Sequence, residues 1–124
     1  MKIVIPTATD SLDGPFDPRF GRGAYFCIVD SDTGAFQAHS NPAKSARGGA
    51  GVQAAQFIAN QNVQAAIGGD FGPNAHMTLS AAGIAMYLAP AGESLTGRQL
   101  LERFRAGKLQ AAKAPTSAGH HGRS

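Results

Sequence analysis

Three short, mainly apolar runs separated by helix-length segments constrain this chain most: Lys2–Ile5, Val63–Ile67 and Ile84–Leu88. Runs of this length and character suit strands covered on both faces of a sheet. Before the second run, Val52, Ala55, Ile58 and Ala59 recur at helical spacing, which predicts a helix over Ala50 to Asn60. Between the second and third, Pro73 suits a first helical position, Ala75, Leu79 and Ala82 make an inner face, and Gly83 stops the helix. Strands joined through helices run parallel, with right-handed crossovers. Tyr25–Asp30 and Ala35–Asn41 flank the turn Ser31-Asp32-Thr33-Gly34, so they read as an antiparallel hairpin. In the second arm Phe36 and Ala38 alternate with Gln37 and His39, as on an edge strand with one wet face. A last helix opens at Thr96, with Gln99 completing a capping box and Leu95 and Leu100 a hydrophobic staple. The order βββαβαβα predicts an α/β fold: a mixed five-stranded sheet, ordered 3-2-1-4-5, flanked by helices.

A chain of 124 residues, 43% hydrophobic, fits one domain. We place it at residues 1–106 and read 107–124 as a flexible basic tail, since Gly, Ala, Lys, Ser and Pro dominate there. The net charge of +3 is unevenly spread: residues 1–96 sum to −2 and residues 97–124 to +5. The N-terminal run is too short for a secretory signal and no stretch is long enough to span a bilayer. Cys27 is alone, so neither a disulfide nor a cysteine cage is available within the chain. These features lead us to expect a cytoplasmic monomer.

Three loops reach the carboxyl edge of the parallel strands, where ligands bind in open α/β sheets. The first, Thr7–Gly23, carries Arg19-Phe20-Gly21-Arg22 immediately before a strand. Either arginine could face a ligand or pair with Asp10, Asp13 or Asp17; Arg22, next to the strand, is the better placed for a ligand. The second loop ends in Gly48-Gly49-Ala50-Gly51, which opens a helix. Free N–H groups and the helix dipole favour an anion there. This run is neither a Walker loop nor a dinucleotide fingerprint. The third, Gly68-Gly69-Asp70-Phe71-Gly72-Pro73-Asn74, offers another helix N-terminus, with Asn74 as a donor. His76, in the first turn of that helix, is the candidate metal ligand. His39 reads as a solvated edge residue, and His120-His121 makes a poor metal site without further ligands. Asp10, Asp13 and Asp17 fit no calcium-loop spacing. Cys27 reads as a small core residue. No nucleophile elbow or HExxH motif is present, so nothing in the chain demands catalysis.

Met1-Lys2-Ile3-Val4-Ile5-Pro6-Thr7, Arg19-Phe20-Gly21-Arg22-Gly23-Ala24-Tyr25-Phe26, Asn41-Pro42, Gly48-Gly49-Ala50-Gly51 and Gly68-Gly69-Asp70-Phe71-Gly72-Pro73-Asn74-Ala75 together resemble the dinitrogenase iron–molybdenum cofactor-binding family. The resemblance covers about residues 1–106 and includes an orange-protein-like branch that holds a molybdenum–copper sulfide cluster. It implies a ribonuclease H-like fold and a non-catalytic binder or carrier of an anionic metal–sulfur cluster, of iron–molybdenum or molybdenum–copper type, exchanging with donor and acceptor proteins. Arg19 stands where family members often have a histidine, which favours charge pairing over ligation there. The implied contacts are Arg19, Phe20, Gly21, Arg22, Gly48, Gly49, Ala50, Gly51, Gly69, Phe71, Asn74 and His76. Two other readings remain open on the sequence: an interaction module whose basic C-terminus meets an acidic partner or nucleic acid, and a divalent-metal nuclease built on Asp70 and the loop aspartates.

Overall fold

Six strands form one mixed sheet in the order β3-β2-β1-β4-β5-β6. In this computed structural model, residues 1–116 are described. The central strand β1 (Lys2–Thr7) pairs antiparallel with β2 (Tyr25–Asp30) and parallel with β4 (Ala65–Gly68). Strand β3 (Phe36–Ser40) completes the hairpin on one side. On the other, β5 (Ala85–Leu88) runs parallel to β4.

The strand order across the first five strands is the one the sequence predicts. The strand count is not: β6 (Gln110–Ala111) pairs antiparallel with β5, in the segment read from sequence as tail. Two residues carry no periodicity. Their pairing is supplied by the open edge of β5 and by Ala112, which is buried. The long loop between β1 and β2 is also more structured than its composition suggests.

 Thr7 bridges Phe16 and Pro15 bridges Thr96 across it, and Leu12 is fully buried.

Two layers of helix cover the sheet. Helices α1 (Ala50–Ala59) and α2 (Pro73–Ala81) lie on one face. There Ala54, Ala55, Ile58 and Leu79 close over Val4, Phe26, Ile28 and Ala66. Helix α3 (Gly97–Arg105) covers the other face, where Leu100 and Leu101 meet Ile3, Ile5, Val29 and Ile67. The alternation along β2 explains the division: Phe26 and Ile28 point to the first layer, Cys27 and Val29 to the second. The start of α3 is built as its sequence predicts, with the Thr96 hydroxyl accepting from the Gln99 N–H and the Gln99 side chain accepting from the Thr96 N–H. Among the described residues no helix is long and apolar enough to cross a membrane.

Candidate functional site

The N-termini of α1 and α2 open onto one cavity of about 480 Å³. Its walls are Arg19–Arg22 from the first loop, Gly49–Val52 from the start of α1, and Asp70–Ala75 from the start of α2. Phe20 and Phe71 are both buried and form an apolar base, with ring centroids 5.4 Å apart.

Backbone proximity makes this cavity. A Cβ on Gly21 would lie 2.8 Å from the Gly51 nitrogen and 3.0 Å from the Ala50 carbonyl carbon. Only glycine lets the first loop sit so close to the α1 N-terminus. A Cβ on Gly69 would likewise meet the Pro18 Cβ at 2.6 Å, so the third loop is pressed onto the first. The α1 N-cap is Gly49 at φ 69°, a left-handed conformation that glycine adopts without strain.

Asn41 ties the second loop to the first. It is buried, and its amide donates to the Gly23 carbonyl at 2.8 Å and the Gly21 carbonyl at 3.2 Å. Its side-chain oxygen accepts from the Ala43 N–H at 2.8 Å. The sequence reading noted Asn41-Pro42 without giving Asn41 a role. The signal available was an Asn directly after a strand, a residue type that bonds its own turn two residues on.

The positive character of the cavity comes mainly from the backbone. Neither helix N-terminus has a side-chain cap, and neither has an acidic residue in its first turn. The leading N–H groups of a helix have no intrahelical acceptor, and the dipole adds partial positive charge. Side-chain charge is nearly balanced. Arg19 pairs with Asp17 at 2.9 Å and also donates through Nε. Burial pushes the Asp17 carboxyl up, but its bonds from the Arg19 side chain and backbone outweigh this and hold it below the usual carboxylate value. Arg22 is exposed and donates through one guanidinium nitrogen to the Ala46 carbonyl. Asp70 also lines the cavity.

Nine of the twelve residues expected at the site line this cavity: Arg19, Phe20, Gly21, Arg22, Gly49, Ala50, Gly51, Phe71 and Asn74. Three do not. Gly48 lies one residue before the helix cap, and Gly69 lines a neighbouring cavity of about 750 Å³ under the β5–α3 loop. His76 Nε2 sits 3.3 Å from the Ala112 carbonyl oxygen, so the ring reaches toward the segment after β6. The two cavities share Arg19 and Asp70 as walls.

Protein ligands for a bare metal ion are scarce. Among the described residues no three His, Cys, Asp or Glu side chains come together as a metal site. Asp13 pairs with Arg98 at 2.6 Å and Asp17 with Arg19, so two of the three loop aspartates are engaged by arginines. Cys27 is buried in β2, and burial pushes its thiol pKa up against the lowering effect of the Thr7 hydroxyl 3.3 Å away. His39 lies on edge strand β3, its ring 6.0 Å from that of Phe57. His120 and His121 fall outside the described residues. The cavity therefore suits a preassembled anion held by N–H donors, an arginine and aromatic contact.

The chain is similar to several known proteins along most of its length. It is 31% identical over 113 residues to an uncharacterized protein of Methanocaldococcus jannaschii, covering 89% of this chain and 90% of the relative. The structure of the apo form of the orange protein from Desulfovibrio gigas superposes with a TM-score of 0.86 at 38% identity, covering 94% of this chain and 96% of that one. A putative NifB protein from Thermotoga superposes with a TM-score of 0.79 at 29% identity, covering 95% and 98%. Residues 1–107 match the family described as dinitrogenase iron-molybdenum cofactor. With nearly the whole domain matched, the chain belongs to the dinitrogenase iron–molybdenum cofactor family.

Proposed function

We propose that this protein binds and carries an anionic, molybdenum-containing metal–sulfur cluster in the cavity between the first loop and the N-termini of α1 and α2. The observation that carries the reading is the convergence of two helix N-termini, without caps or first-turn acids, on one cavity with an aromatic base. A polyanion of soft sulfurs gains from such donors without requiring a protein ligand on every metal. Arg22 adds an exposed positive charge at the rim, and Asn74 adds an amide donor in the first turn of α2.

The likeness to the apo form of the orange protein of D. gigas supports a site that takes up a separable ligand. The molybdenum–copper type is our first choice of cargo and the iron–molybdenum type the second. We extend the proposal to a ribonuclease H-like fold, a cytoplasmic monomer, and exchange of the cluster with donor and acceptor proteins.

The test is reconstitution of the apo-protein with tetrathiomolybdate and copper(I), followed by elemental analysis and an amide NMR titration. The expected result is stoichiometric molybdenum with shifts concentrated at residues 19–22, 49–52 and 70–75. Uptake without shifts in these three segments would remove the cavity from the proposal. No uptake of this cluster or of an iron–molybdenum cluster would remove the function.

A further inference from the structure

We propose that residues 110–116 hold the Phe71 wall of the cavity in place, with Thr116 as the positioning residue, and that filling the cavity and docking this segment strengthen each other. The inference rests on the cluster-binding reading above and names what sets how firmly that site keeps its ligand.

The segment is attached at successive points between the sheet edge and the cavity. β6 joins the open edge of β5 through the pairs Leu88–Gln110 and Tyr87–Ala111. The Ala112 N–H then donates to the Met86 carbonyl at 2.8 Å, and Ala112 is buried in the same apolar cluster as Phe20 and Phe71. Its carbonyl oxygen lies 3.3 Å from Nε2 of His76, on α2. Thr116 last takes both backbone groups of Phe71: its hydroxyl accepts from the Phe71 N–H at 2.8 Å, and its own N–H donates to the Phe71 carbonyl at 2.9 Å. Among the described residues, no other hydrogen bond reaches the Phe71 backbone.

Phe71 passes this anchoring on to the cavity. Its ring lies against that of Phe20, and a Cβ on Gly68 would come within 2.9 Å of its Cζ, so the ring is seated on bare backbone. The next residue, Gly72, is the N-cap of α2 and has no side chain with which to cap it. A turn of the Phe71 peptide therefore moves the aromatic base and the leading N–H groups of α2 together, the groups that face the ligand. A buried N–H keeps its direction only while it has an acceptor, and the Thr116 hydroxyl is that acceptor. The attachment is light on its own side: β6 has two residues, and residues 113–116 are exposed. Segments with so few buried contacts open locally well before the fold does. Coupling between two binding events is reciprocal. If the docked segment improves the hold of the cavity, a filled cavity must hold the segment more firmly.

The test uses the full chain, Thr116→Val, which loses the hydroxyl at similar volume, and Thr116→Ser, which keeps it. Each is loaded with tetrathiomolybdate and copper(I), and the rate of copper release to a copper(I) chelator is read. Amide hydrogen exchange at Ala112 and Thr116 is measured on the wild type before and after loading, which needs no variant to fold. We expect release roughly three- to tenfold faster from T116V, as for one lost hydrogen bond, and a wild-type rate from T116S. Loading should slow exchange at both amides, a change that a merely structural contact would not show. Equal release from T116V and the wild type, release from T116S as fast as from T116V, or exchange indifferent to loading would each overturn the inference while stoichiometric loading leaves the cavity reading standing. No loading of any of the three chains would overturn both.

Discussion

Replacing Gly21 by alanine tests the geometry on which the cavity depends. The new methyl carbon would fall 2.8 Å from the Gly51 nitrogen and 3.0 Å from the Ala50 carbonyl carbon and the Gly51 Cα. All three obstacles are backbone atoms at the start of α1, so no side chain can swing away. An ordinary contact requires the first loop and the helix start to separate by about half an ångström, and overpacking of this kind costs about 1–3 kcal/mol. The Asn41 amide resists the movement, because it holds the Gly21 and Gly23 carbonyls. Gly48→Ala is the internal control. Its Cβ would meet nothing within 4 Å, and its φ is not in the left-handed region. We expect urea melts to place G21A about 1–3 kcal/mol below wild type and G48A within about 0.5 kcal/mol of it. Cluster titration should show weaker binding for G21A, since its donors are displaced, and unchanged binding for G48A. Equal stability and equal binding for the two variants would refute the close approach of loop and helix.

Three further outcomes are expected. Asn41→Ala should cost about 2 kcal/mol or more in denaturant melts, because it strands a buried Ala43 N–H and the Gly23 carbonyl, each worth about 1–3 kcal/mol when left unpaired; a loss below about 0.5 kcal/mol would show that water or a neighbour replaces it. Arg22→Ala should leave stability within about 0.5 kcal/mol but weaken cluster binding roughly tenfold, as for a charge-assisted contact; unchanged affinity in a titration would remove Arg22 from the site. Asp17 has a depressed folded-state pKa, so its contribution to stability is present above the ordinary carboxylate value and is lost as pH falls through the depressed one. The stability difference between wild type and Asp17→Asn should therefore shrink as pH falls through and below the ordinary carboxylate range in urea melts, and a difference that holds constant would contradict the Arg19 pairing.

The sequence made the topology readable because each element carries its own punctuation. The turn before Ala35, Pro73 at the head of α2, Gly83 after its end and the Thr96–Gln99 box all mark real boundaries. Strand ends were less clear. β1 continues past Ile5 through Pro6 to Thr7, which pair with Phe26 and Tyr25. Pro6 lacks an N–H for the ladder, but its carbonyl still accepts, from the Asp17 N–H at 3.1 Å. β6 was invisible because its identity lies in its partner, not in its two residues. The same limit applied to the site. Glycine runs and arginines located the loops, whereas the partners of the side chains depend on packing between distant segments. Arg19 chose Asp17 from the three aspartates open to it, His76 met the carbonyl of Ala112, and Asn41 bridged two loops.

The position of Cys27 has a consequence for sulfur exchange. Its side chain belongs to the layer under α3, while Phe20, Phe71 and Ala50 belong to the layer under α1 and α2, so the sheet itself stands between the chain's one thiol and the cavity. Ligand scrambling on metal sulfides proceeds by attack of a thiolate, and here the thiol is both inaccessible and held protonated by burial. The chain's own thiol therefore cannot reach a ligand seated in the cavity.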